Sequence, residues 1–279
     1  MEHRDRAAGW KHAKVSGHKN EDLVKDRLDN DSEFQYSFLR RVSRPHQSIV
    51  STAIGGIHEK SVPGANGNKT KSKTDLKVYL DNGEIINVSI KKSLGGQVYL
   101  VSAGIFIDTF EKQFGAHIPE SVKRAINLFW ASADDAVQII DQYSDKSNTK
   151  YFNLQIRHKS LNAATLENYS TELHRDMLKW FTDNAYNLAK LSFSAGAVLD
   201  QNEWSDFVWY INFLDENDVD DIFNIEDVCA AVQRAAAKET YYGSANGGTT
   251  IQLPFGFVQW HQKKLQFHHD YDKLCNLPY

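Results

Sequence analysis

A carboxylate, a hydroxyl and an ammonium stand at Asp75, Ser89 and Lys91, in a stretch whose pattern sets all three on one face of a two-stranded hairpin. Oxygen ligands of this kind hold a hard divalent cation, and a neighbouring ammonium offsets negative charge that develops at a reacting centre. The placement follows from alternation. Thr74 to Leu80 and Glu84 to Lys91 each read as strands, and Asp81-Asn82-Gly83 between them is turn chemistry. With a three-residue loop and Gly83 left-handed, Leu80 pairs with Glu84, and counting outward sets Asp75 opposite Ser89. Such partners have Cβ atoms about 4.5–5.5 Å apart. Lys91, two residues further on, shares their face.

A second carboxylate lies upstream. The pattern predicts a helix over residues 20–29 with Asn20 as its N-cap, and Glu21, Val24 and Leu28 then fall on one stripe, so that the acid faces inward with apolar side chains. A first-turn Glu that complements the helix dipole fits the same position.

Asp75, the triplet Ser89-Ile90-Lys91 and Glu21 together resemble the active site of the PD-(D/E)XK nuclease superfamily, to which many type II restriction endonucleases belong. Members carry an Asp at the start of one strand, an acid-X-Lys triplet on the next and commonly a Glu on the first helix. Two positions depart from that pattern: Thr74 precedes Asp75 where a Pro is usual, and Ser89 replaces the acid of the triplet. The resemblance covers roughly residues 17 to 100. It implies an α/β fold with a restriction-endonuclease-like mixed sheet core flanked by helices, to which the chain's own pattern further on adds a helical insertion and a β-rich C-terminal tail. It also implies Mg²⁺, with Mn²⁺ as a substitute, held by Asp75 and Glu21 with Ser89 contributing a neutral hydroxyl. Lys91 would orient or help deprotonate the attacking water. The implied substrate is double-stranded DNA, cut at a short palindrome by a homodimer. Two alternatives accompany this expectation: a phage or repair nuclease that recognises DNA structure, and a non-catalytic DNA-binding module whose metal site has decayed.

The 279-residue chain has 41% hydrophobic content and a net charge of −4. That charge is unevenly divided, with +5 over residues 1–92 and −9 over the remainder, so the basic charge accompanies the motif. It is densest at Lys69, Lys71 and Lys73, in a loop leading directly into Asp75, where phosphate contacts would serve. A solvated loop would have the same composition, and adjacency to the acid favours the contact role. Lys92, on the opposite strand face, is assigned to phosphate or to structure. Two cysteines, Cys229 and Cys275, form no framework and no zinc-binding CxxC pair. The first residues are charged rather than apolar and no long apolar run occurs, so a cytoplasmic protein without a membrane span is expected.

Three parts follow from the pattern: a nuclease core with a basic arm (1–106), a helical region (107–240) and a β-rich tail (241–279). Gln97 to Val101 reads as a third strand of the core. Residues 200 to 227 hold ten acids and no Lys or Arg, interleaved with Trp204, Phe207, Trp209, Tyr210 and Phe213, and read as a solvated face of helices. In the tail, Phe257 to His261 and Leu265 to His269 alternate about Gln262-Lys263-Lys264 as a hairpin. Gln97, Gln259, Gln266 and His268 are candidates for hydrogen bonds to base edges, and Lys263 and Lys264 for phosphate contacts. His261, His268 and His269 do not make a zinc site, because adjacent strand residues point to opposite faces. No P-loop and no G-x-S-x-G elbow occurs.

Overall fold

A computed structural model describes residues 6–55, 61–214, 219–244 and 248–279, with side chains from residue 17 onward. Residues 1–5 of the basic arm, the acids Asp215, Glu216 and Asp218, and residues 245–247 of the tail lie outside the described residues. Among the described residues no helix is long and apolar enough to cross a membrane. Two compact units emerge: Met1–Gly64, Lys69–Leu94 and Phe193–Asp227 form one, and Ala65–Asn68, Gly95–Ser192 and Val228–Tyr279 form the other.

The first unit is a five-stranded mixed sheet flanked by helices. Its strands run in the order Ile49–Ile54, Leu76–Leu80, Ile85–Lys91, Phe207–Ile211 and Asp220–Asn224. The hairpin has the expected register, with Leu76 opposite Val88 and Gly83 at φ 85° closing the turn. Leu76, Val78, Leu80, Val88, Ile90 and Trp209 point to one face and pack against Val24, Leu28, Phe38 and Leu39 of the helices Arg6–Asn30 and Ser32–Arg41. Strict alternation then turns Ser89 and Lys91 to the other face.

Three expectations are corrected here. The first helix does not start at Asn20: it runs Arg6–Asn30, and Asn20 is internal and fully buried. The strand beside Ile85–Lys91 is not Gln97–Val101. It is Phe207–Ile211, from within the acidic stretch, paired parallel so that Ser89 meets Val208 and Lys91 meets Tyr210. Its five residues are all buried, and an unbroken apolar run is what a strand covered on both faces requires. The described acids lie on either side of it, in the segment up to Asp206, on the antiparallel edge strand Asp220–Asn224 and at Glu226 and Asp227 in the first turn of the helix Ile225–Glu239, so only that last pair matches the expected helical face.

The second unit contains helices and an antiparallel sheet in the order Gly95–Ser102, Lys264–Asp270, Gly256–His261, Thr250–Leu253 and Tyr241–Gly243. The segment Gly95–Ser102 is thus claimed by the tail, against Lys264–Asp270. The tail hairpin turns through two residues, Gln262 and Lys263, at φ 50° and 62°. That left-handed pair matches the twist of the flanking strands, and it puts Lys264 in a strand rather than in the loop. The stripe Val122, Ile126, Phe129 and Trp130 and the stripe Met177, Trp180 and Phe181 are buried core.

Candidate active site and polar row

Asp75 immediately precedes its strand, and its backbone is held from both sides: its N–H donates to Val88 O at 2.9 Å and its C=O accepts from Gly55 N at 3.0 Å. Its Oδ2 accepts from Ile90 N at 2.8 Å and from Ser89 Oγ at 3.2 Å. Lys91 Nζ donates to Ser89 Oγ at 2.6 Å and stands 3.7 Å from Asp75 Oδ2. The three groups therefore converge as the strand register requires, with Asp75 and Lys91 half-buried and Ser89 fully buried beneath them. They lie where Ile85–Lys91 ends, beside the end of its parallel neighbour Phe207–Ile211. Carboxyl ends of parallel strands are where open α/β sheets bind ligands.

Glu21 reaches this end of the sheet from the first helix. The device is Asn20, whose Nδ2 donates to Ile211 O at 2.9 Å and whose Oδ1 accepts from Phe213 N at 2.8 Å. This two-point clamp satisfies backbone groups at the end of the buried strand and fixes the helix beside it. A capping role was read into Asn20; its actual partners are far along the chain, and no local signal reveals them. His18, one turn back, places Nδ1 3.2 Å from Glu21 Oε2. Burial, and then the charge of Asp75, push the Glu21 carboxyl above its ordinary range, while His18 and Lys91 pull it down.

Lys73 joins this cluster. Its stem lies along the backbone of Gly196, where a methyl group would come within 3.0 Å of the Lys73 Cγ. Gly196 has φ 55°, so both its conformation and its neighbour call for glycine. Burial and the nearby Lys91 charge lower the Lys73 ammonium to about 7, against the opposing pull of Asp75. Lys69 and Lys71 are exposed beside it in sequence, and Lys92, half-buried, accepts through its backbone carbonyl from Asn212 Nδ2 at 3.1 Å. Underneath, Lys77 Nζ pairs with Glu203 Oε2 at 2.7 Å, and Thr74 Oγ1 and Ser72 Oγ both donate to Glu203 O, tying the segment before the buried strand to the hairpin.

Two carboxylates, Asp75 and Glu21, are available to a cation. Among the described residues no group of three or more His, Cys, Asp or Glu is arranged to hold a metal. Mg²⁺ keeps several waters and is commonly bound through one or two carboxylates plus substrate phosphate, so the donor set fits a water-completed Mg²⁺ site. Burial first, and the Asp75 charge second, disfavour the ionised Glu21, and a cation between the two acids would offset both.

The second unit gathers the other candidates. Gln266 Nε2 donates to Gln97 Oε1 at 2.7 Å, Gln259 Nε2 donates to Gln266 Oε1 at 2.9 Å, and the same nitrogen stands 3.2 Å from His268 Nε2. A continuous polar row crosses three strands on one face. His268 stacks on Phe257, with centroids 4.5 Å apart, and burial keeps its imidazole below the ordinary range. His269 is buried on the opposite face. Lys263 and Lys264 are exposed at the hairpin tip.

No protein-family model and no curated protein matches the chain. Among solved structures the chain is similar to restriction endonuclease MspI in complex with its cognate DNA, with TM-score 0.42 and 14% identity over 93% of this chain and 87% of that one.

Proposed function

We propose that this protein is a Mg²⁺-dependent endonuclease that hydrolyses phosphodiester bonds in double-stranded DNA at a specific sequence. The observation that carries the proposal is the convergence of Asp75, Ser89 and Lys91, with Lys91 Nζ 2.6 Å from the Ser89 hydroxyl and 3.7 Å from the Asp75 carboxylate. Asp75 and Glu21 would hold the cation, with Ser89 adding a neutral oxygen. When bound, the cation makes a coordinated water more acidic and neutralises charge at phosphorus. Lys91, held by Ser89 Oγ and Ile90 O, offers its ammonium to the attacking water and to the phosphate oxygens. Lys73 adds a cation when protonated, and Lys69, Lys71 and Lys92 attract the phosphate backbone. The row Gln97, Gln266, Gln259 and His268 supplies the donors and acceptors that base edges demand, with Lys263 and Lys264 on phosphate. Two copies acting on a palindrome would cut both strands.

The absence of a third acid among the described residues favours one further reading, a DNA-binding protein without catalysis. Incubation of the full chain with unmethylated phage DNA, with Mg²⁺ or with EDTA, separates the two. Discrete fragments that require Mg²⁺ are expected. Intact DNA under both conditions, together with retained binding, would establish the non-catalytic reading, and cutting confined to branched substrates would establish structure recognition.

A further inference from the structure

The second unit holds a cavity of about 250 Å³ lined by Tyr151, Gln155, His158, Asn162, Gln259 and Trp260, among others. Part of its wall is a flat aromatic pair, with Trp260 stacked on His158 at 4.1 Å and the two planes 7° apart. Gln155 is only 4% exposed. Its Oε1 accepts from Asn162 N at 3.0 Å, and its amide nitrogen has no hydrogen-bond partner among the described residues. The indole N–H of Trp260 is buried and equally without a partner. A buried donor left unsatisfied, as at Trp260, is costly and uncommon, and the Gln155 amide beside it is open to a ligand that brings an acceptor.

The same lining says what kind of acceptor. Among the described residues no Lys or Arg lines the cavity, so its described wall offers no such cation to a phosphate or carboxylate. Its volume lies below the roughly 300–1,000 Å³ of pockets for drug-sized molecules, which leaves room for one ring system. Flat aromatic walls and N–H donors together complement a planar heterocycle with carbonyl or ring-nitrogen acceptors. Gln259, which lines part of the cavity, also bonds to Gln266 in the polar row.

We propose that this cavity receives a single nucleobase turned out of a DNA duplex, lying against the Trp260–His158 pair and accepting a hydrogen bond from the Gln155 amide. Enzymes that extrude a base hold it in this manner, between aromatic walls and fixed polar groups. The duplex as source rests on the nuclease reading above; the affinity for a base rests on the cavity alone.

The test measures binding of the full chain in EDTA to a fluorescein-labelled duplex with one unpaired guanine and to the same duplex fully paired. Equilibrium dialysis with free deoxyguanosine provides a parallel arm. The unpaired duplex is expected to bind about tenfold more tightly, because the extrusion cost is already met. Gln155→Leu and Trp260→Leu should each bring the two affinities together while binding to the paired duplex stays within about twofold. Trp260→Phe, which keeps the ring and removes the N–H, should retain part of the preference, and circular dichroism melts verify that every variant folds. Equal binding of both duplexes by the wild type, or a preference unaffected by both leucine variants, overturns the proposal. If no duplex binds but deoxyguanosine is retained in a Gln155-dependent way, the cavity is a base site filled by free nucleotides and the DNA reading is what fails.

Discussion

Lys91 is oriented by Ser89: its ammonium donates to the serine hydroxyl at 2.6 Å, and that hydroxyl in turn donates to Asp75 Oδ2 at 3.2 Å. A neutral side chain thus stands between the ammonium and the carboxylate. Ser89 sets the position of Lys91 without adding the negative charge that would raise affinity for a metal.

Asp75→Ala and Lys91→Ala should each reduce cleavage by at least about a hundredfold, a loss of roughly 2.7 kcal/mol of transition-state stabilisation. Binding of DNA in EDTA should persist. Near wild-type cutting by both variants would move the catalytic site elsewhere in the molecule.

Ser89→Asp should raise Mg²⁺ affinity, read by calorimetry, because it restores a third oxygen ligand with charge. Ser89→Ala should lower metal affinity only modestly, since a neutral oxygen is lost, and lower the cleavage rate more, since it frees Lys91 from its principal partner. Identical metal affinity in Ser89→Asp, with the fold intact, would show that this side chain does not face the cation.

Glu21 carries a pH signature. Its folded carboxyl lies above the ordinary value of 4.5, so the stability it contributes is fully present below that value and is lost as pH rises through the folded pKa. Glu21→Gln should therefore gain in melting temperature relative to wild type across that window, and Mg²⁺ should reverse the difference by favouring the ionised acid. Parallel melting curves for the two proteins at all pH values would contradict the burial and the Asp75 repulsion assigned to Glu21.

Lys73 has the opposite sign to an ordinary surface lysine. With its folded pKa lowered to about 7 from 10.5, stability should rise with pH between those two values, because the unfolded chain binds the proton more tightly. Lys73→Met should flatten that rise, and competitive acylation of the Lys73 amine should follow a titration near 7. Reactivity that rises only near the ordinary lysine value would place the ammonium in solvent.

Asn20→Ala leaves the Phe213 N–H and the Ile211 C=O without their side-chain partner, at a cost of roughly 1–3 kcal/mol for buried groups. Urea unfolding measures the loss. Cleavage should fall further than stability alone accounts for, because the same clamp places Glu21.

Phosphate contacts and base contacts separate by salt and sequence. Loss of Lys69 or Lys71 to alanine should weaken binding to every duplex and reduce the salt slope by about 0.9 per contact. Loss of Gln259 or Gln266 should instead cost about 1–3 kcal/mol on the cognate duplex and little on a scrambled one. Equal losses on both duplexes would return the polar row to a structural role.

The local pattern determined the hairpin. Alternation, a glycine at the third loop position and a count outward from the turn were enough to place Asp75 beside Ser89 and Lys91, because all the information lies within one short stretch of chain. It also determined the stripe that carries Glu21, Val24 and Leu28, and the shared face of Gln259, Gln266 and His268. Only the tertiary structure decided which strand lies next to Ile85–Lys91, which sheet takes Gly95–Ser102, and what Asn20 holds. Strand edges offer the same backbone donors and acceptors whatever their sequence. The choice among distant partners is therefore made by the burial of whole faces, as when the run Phe207–Ile211 finds cover on both sides and carries its flanking acids to the sheet.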